Sequence, residues 1–141
     1  MPIHTMHLTD RIFFAQPVGY MDNVDARMIA SALKKYARTS TAPIVGIMDT
    51  QQVDRMCSTV PKMIAETLAN GDILEVVIVI GQSFASQNAR VVDKLSKLDR
   101  VKIVGTVEEA NTRATHNFGG AFGTSTAQYR MHYRAYAFSS V

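Results

Sequence analysis

Two apolar runs constrain this chain more than any other feature. Ile44-Val45-Gly46-Ile47-Met48 ends on Asp49, and Ile73 to Ile80 (ILEVVIVI) carries Glu75 as its one polar residue. A strand with one wet face alternates apolar and polar side chains, and neither run does. Both therefore read as strands covered on two faces, which is the pattern of a largely parallel sheet between helices. Ile73 to Ile80 reads as a central strand, and Asp49 stands where the other strand passes into its crossover connection.

Between the runs lies a polar turn and then a helix. Ser58 and Thr59 offer N-cap hydroxyls, Pro61 sits where a missing N–H costs nothing, and Val60, Met63, Ile64, Thr67 and Leu68 recur at helical spacing. Asn70-Gly71-Asp72 is a helix stop. Upstream, Ile3 to Leu8 and Ile12 to Val18 read as strands of an opening hairpin, with Thr9-Asp10-Arg11 as its turn and Pro17 marking an edge or a strand end. A helix from about Val24 to Ala37 follows, capped by Asp22 or Asn23, with Met28, Ile29, Ala32, Leu33 and Tyr36 predicted on its buried face. Downstream, a helix from about Ser86 to Leu98 is predicted to face inward with Ala89, Val92, Leu95 and Leu98. Val101 to Val104 is a short strand, and Thr106 caps a helix opening Val107-Glu108-Glu109. Strand and helix alternate from Gly19 to Asn117, so the expected class is α/β, with a mixed sheet and right-handed crossovers.

These residues carry a resemblance. An apolar strand ending in Asp, a short loop and a Ser at a helix start look like the STAS domain, the family that includes the anti-sigma-factor antagonists. Its pattern is a strand ending Asp-Leu-Ser, a hydrophobic turn, then Asp-Ser-Ser-Gly with the first Ser phosphorylated by a partner kinase. Asp49-Thr50 match the first part, Val53 and Met56 the turn, and Cys57-Ser58-Thr59 the switch. Gly19 to Asp22 is similar to the Gly-x-Leu-Asp run before the family's first helix. Cys57 stands in place of the family's Asp, and Val60 in place of its Gly. The resemblance spans about residues 3 to 117. It implies a STAS-like layered fold, an initial hairpin plus parallel strands packed by about four helices. It also implies a non-enzymatic regulatory module that docks a protein partner, an anti-sigma factor or a kinase-like protein, with Ser58 or Thr59 as the phosphorylated hydroxyl.

Each candidate residue has a plainer reading. Ser58 and Thr59 can simply cap a helix. A phosphate on Ser58 would meet the positive helix end, with Arg55 and Lys62 close in sequence. Cys57 at that end can be an activated thiol or, with no histidine assignable as its base, a small inert side chain. Asp49 and Asp54 can form a carboxylate pair or act as turn formers. The expected contact surface is Asp49, Thr50, Asp54, Arg55, Cys57 and Lys62. The competing function is a small-molecule binder or enzyme using Asp49, Asp54, Cys57 and Ser58 around a pocket. No Ser-His-Asp set, zinc-ligand spacing or dinucleotide fingerprint is present, so no catalytic residue, metal or cofactor is expected.

The 141 residues, 47% hydrophobic and 19% charged, suit one globular domain. No apolar run approaches the roughly 18 residues of a membrane span. The first residues lack the basic and apolar segments of a secretory signal, and one Cys forms no internal disulfide, so a cytoplasmic location is expected. The net charge of +3 is uneven: 12 basic residues balance 12 acidic ones through Glu109, and only Arg113, Arg130 and Arg134 follow. That spread is too thin for a nucleic-acid footprint. Residues 118–141 read as an extension, with Phe118 to Thr126 a small-residue connector. Tyr129, Met131, Tyr133 and Tyr136 lie in a terminal strand that is expected to pair with a sheet edge and make a homodimer.

Overall fold

The computed structural model describes residues 3–9 and 11–122. Its elements are β1 (Ile3–Thr9), β2 (Ile12–Pro17), β3 (Gly19–Met21), α1 (Asn23–Thr39), β4 (Ile44–Asp49), β5 (Val53–Met56), α2 (Val60–Leu68), β6 (Ile73–Val79), α3 (Gln82–Gln87), α4 (Ala89–Ser96), β7 (Val101–Val104) and α5 (Val107–Phe122). Five strands form one sheet in the order β1-β2-β4-β6-β7, antiparallel at the opening hairpin and parallel elsewhere. The two apolar runs are adjacent inner strands, as their composition demands. The α/β class and the mixed sheet agree with the sequence.

Period-two alternation divides the core between the sheet's faces. Phe13, Ile44, Met48, Val76 and Ile78 point to one side, where they pack with Ile29 and Leu33 of α1, Val60 and Leu68 of α2, and Val91 and Leu95 of α4. Ile12, Val45, Ile47, Val77 and Val79 point to the other, where α5 lays down Ala110, Ala114 and Phe118. Gly46 is the point of closest approach: a Cβ there would meet Leu33 Cδ2 at 3.3 Å, so α1 lies tight on β4 only because this position lacks one.

Glu75 faces α5 and is 4% exposed. Arg113 makes a bidentate pair with it, Nε to Oε1 at 2.9 Å and Nη2 to Oε2 at 2.8 Å, and Asn117 Nδ2 donates to Oε1 at 2.8 Å. Burial pushes the carboxyl up; the Arg113 and Asn117 bonds, with the charges of Arg113 and Lys102, outweigh it and hold Glu75 below its usual 4.5. The one polar residue in the apolar run thus anchors α5 to β6, and Arg113 belongs to this lock and not to a basic tail.

Several expectations are corrected. Four helices were expected and five are found, because the third divides at Asn88 into α3 and α4. On α4 the buried residues are Val91 and Leu95, and Ala89 is exposed. On α1 the expected Ile29 and Leu33 are buried and Ala32 and Tyr36 pack half-buried on the core, but Met28 is 41% exposed and Asp25, Ala26 and Ala37 are buried beside them. No connector begins at Phe118: α5 continues to Phe122, and Phe118 is fully buried, with the Arg11 guanidinium 4.2 Å over its ring. The expected terminal strand, with Tyr129, Met131, Tyr133 and Tyr136, lies outside the described residues. Among the described residues no helix is long and apolar enough to cross a membrane.

Candidate functional site

At the carboxyl ends of β2 and β4 the two strands stop pairing in the main sheet and resume, side by side, as a second small ladder. Gly19, at φ 76°, turns the chain after Pro17 and donates its N–H to Gln52 O at 2.9 Å. Asp49 turns the other: its Oδ1 accepts from Gln51 N–H at 3.0 Å, and Gln16 Nε2 donates to its Oδ2 at 3.0 Å. Thr50 donates its hydroxyl to Val79 O at 2.6 Å, tying the turn to β6. β3 and β5 then pair in parallel. The Val53 to Met56 segment, expected as a hydrophobic turn, is therefore a strand; Val53 and Met56 are buried, and Asp54 and Arg55 point outward.

Among the described residues no strand lies beside the other edge of β5, and Asn88 takes that place. Its Oδ1 accepts from Met56 N–H at 3.0 Å, and its Nδ2 donates to Asp54 O at 3.0 Å and to Phe84 O at 3.1 Å. One carboxamide thus supplies the acceptor and the donor that a neighbouring strand would offer, and it does so while 5% exposed. Sequence reasoning did not find Asn88. The only signal was an Asn interrupting an otherwise helical stretch.

The small ladder sets two helix starts next to each other. Met21 leads into Asp22, which caps α1 by a reciprocal arrangement: Asp22 Oδ1 accepts from Asp25 N–H at 3.0 Å, and Asp25 Oδ2 accepts from Asp22 N–H at 3.1 Å. Met56 leads into Cys57-Ser58-Thr59 and α2, with Cys57 N–H bound to Met21 O at 2.9 Å. Thr59 is the N-cap residue of α2, yet its side chain does not cap; its hydroxyl bonds Asn23 Oδ1 of α1 and approaches Cys57 Sγ at 3.3 Å. Cys57, half-buried, also donates to Asn23 Oδ1 at 3.4 Å. The Thr59 hydroxyl, then the Thr59 and Ser58 backbone N–H groups, hold the thiol below its usual 9.0 against burial and the Asp22 charge.

Ser58 is exposed, sits in the turn before α2, and its side chain makes no hydrogen bond among the described residues. The capping explanation therefore does not describe it. No acidic residue occupies the first turn of α2 either, so this helix start keeps its positive end uncompensated, whereas α1 has Asp25 there. Arg55 lies 5.4 Å over the ring of Tyr20, across the β3–β5 ladder, and Lys62 faces the groove between α1 and α2. Tyr20, Val24 and Met28, at the same end of the molecule, are 53%, 60% and 41% exposed.

Asp49 and Thr50 are buried and committed to turn bonds, while Asp54 is exposed on β5. An apolar slot of about 40 Å³ lies between α1 and α2 over the sheet, lined by residues including Met21, Leu33, Gly46, Met63 and Val76. None of Asp49, Asp54, Cys57 or Ser58 lines it. No group of three His, Cys, Asp or Glu suited to a metal ion occurs among the described residues.

The sequence matches no family model and no curated protein sequence. Solved structures do match in shape. An anti-sigma factor antagonist, SpoIIAA in its unphosphorylated form, superposes with a TM-score of 0.52 at 11% identity, over 77% of this chain and 94% of that one. An uncharacterized protein of the DUF3478 family with a SpoIIAA-like fold, from Shewanella loihica PV-4, gives 0.51 at 16% identity, over 79% and 91%. At such identities the likeness is one of fold, and the fold is STAS-like.

Proposed function

We propose that this STAS-like domain is a non-enzymatic regulatory module that docks a protein partner at the start of α2, with Ser58 as a phosphorylation switch. The observation that carries the reading is Ser58 itself: an exposed hydroxyl at an uncompensated helix start, with no structural bond to keep it there. Tyr20, Val24 and Met28 add exposed apolar area beside it, of the kind that interfaces cover. A phosphate on Ser58 adds up to about two negative charges at a surface that otherwise presents a neutral hydroxyl, and desolvating them opposes docking. Thr59, the second candidate, is already bonded to Asn23 and Cys57, which favours Ser58.

The test is the intact mass of protein from its native cells, mapped across Arg55 to Lys62, followed by partner binding of Ser58→Asp and Ser58→Ala. The expected result is loss of binding for the first and retention for the second; equal binding by both removes Ser58 as the switch. The small-molecule reading gains nothing from the slot, which the four residues proposed for it do not line. Self-association through residues 123–141 is part of the proposal. Light scattering on the chain cut after Phe122, which spares the buried Phe118, is expected to give a monomer where the full chain gives a dimer.

A further inference from the structure

α1 and α2 cover the same face of the sheet and pack against each other. Each returns the chain toward a parallel strand, so they run in the same sense and leave a groove between them. Its walls carry Arg27 and Lys34 from α1 and Lys62 from α2, against Glu66 alone. All three cations are exposed, and none has an ion-pair partner among the described residues. Ala30, Met63 and Thr67 line both this groove and the apolar slot beneath it, so the groove has basic walls and a mostly apolar floor.

We infer that this groove receives an acidic amphipathic helical segment of the docked partner, its apolar stripe on Ala30 and Met63 and its carboxylates against Arg27, Lys34 and Lys62. The inference rests on the docking function proposed above and names the partner's chemistry. A channel between two helices takes a third helix by ridge-in-groove packing, and an apolar floor with charged walls selects an amphipathic one. Charge complementarity decides the sign. It also decides against the chain's own extension and that of a second copy: residues 123–141 contain no Asp or Glu and add Arg130 and Arg134. A nucleic acid would satisfy the cations but leave the apolar floor uncovered. The arrangement also explains how Ser58 would act, since its phosphate, four residues before Lys62, would compete for the same cations.

The experiment is amide shift mapping on the isotope-labelled full chain. Three probes are compared: a synthetic helical peptide with a Leu/Ala stripe flanked by Glu, the same peptide flanked by Lys, and an oligothymidylate. The expected result is saturable shifts along the facing sides of α1 and α2 for the Glu peptide, and none for the Lys peptide. The double variant Arg27→Glu/Lys62→Glu, both positions exposed, is expected to weaken the Glu peptide about tenfold or more and to admit the Lys peptide. Equal binding of both peptides, shifts elsewhere on the molecule, or an oligothymidylate that binds the groove in their place would each overturn the inference. Ser58→Asp separates the two readings. Glu-peptide binding that Ser58→Asp leaves unchanged keeps the groove and removes the switch. A native partner released by Ser58→Asp, with no Glu-peptide preference, keeps the switch and removes the groove.

Discussion

Asn88→Leu replaces a carboxamide by an apolar side chain of similar size, and the structure fixes what is lost. Met56 N–H loses its acceptor at 3.0 Å at the buried end of β5, and Asp54 O loses a donor at 3.0 Å. Phe84 O keeps the Asn88 backbone N–H at 2.9 Å, so its loss counts for little. A buried donor left unpaired costs about 1–3 kcal/mol, and each lost bond about 1 kcal/mol; the extra apolar contact of Leu offsets part of this. The expected net loss is about 2–4 kcal/mol, which in a domain of this size lowers the melting temperature by about 6–14 °C. Urea unfolding followed by circular dichroism measures it, and hydrogen exchange should show the Met56 amide losing protection before the main sheet does. Asn88→Asp provides an internal check. It keeps the acceptor for Met56 but turns a carboxylate toward two carbonyls, so its folded pKa rises. The variant is then relatively most stable below about pH 3.9, where the acid is protonated in both states, and loses that advantage as pH rises through the folded value. An Asn88→Leu chain within about 0.5 kcal/mol of the parent, with Met56 still protected, would refute the claim that one side chain substitutes for a strand.

Arg113→Met strands a buried carboxylate that only Asn117 still serves; since Arg113 is itself 36% exposed, we expect a loss of about 2–3 kcal/mol, with Glu75→Leu/Arg113→Met recovering part of it in a double-mutant cycle. Glu75 is held below its ordinary 4.5, so its contribution is present above that pH and fades as pH falls through the folded value; acid titration of stability in the parent and in Glu75→Gln should differ in that window, and parallel curves would count against the lock. Thr59→Val removes the first cause of the low Cys57 ionisation, so the pH profile of iodoacetamide alkylation should move upward, and an unmoved profile would assign the effect to the backbone N–H groups. Gly46→Val places bulk where Leu33 already stands 3.3 Å from a would-be Cβ; it should fill the slot, displace α1 and cost about 1–3 kcal/mol in chemical denaturation.

The sequence by itself determined the sheet. Runs as apolar as Ile44–Met48 and Ile73–Ile80 have no stable place except between two layers, and local signals such as Thr106 before α5 and Asn70-Gly71-Asp72 after α2 are read within a few residues of where they act. It also singled out Ser58 as the residue to watch, because the order of strand, turn, hydroxyl and helix is local. It did not determine what surrounds Ser58. The β3–β5 ladder depends on two segments 34 residues apart breaking from the main sheet together, as the pairing of Gly19 with Val53 records. Asn88 and Glu75 act across similar separations, 32 residues to Met56 and 38 to Arg113. The close approach of Leu33 on α1 to Gly46 on β4, 3.3 Å from a would-be Cβ, likewise joins residues that no periodicity along either element pairs. Side-chain spacing within an element is a one-dimensional property that a sequence displays. Which polar group meets which is fixed only when the sheet and helices close around a common core, where each buried donor and charge must find its partner.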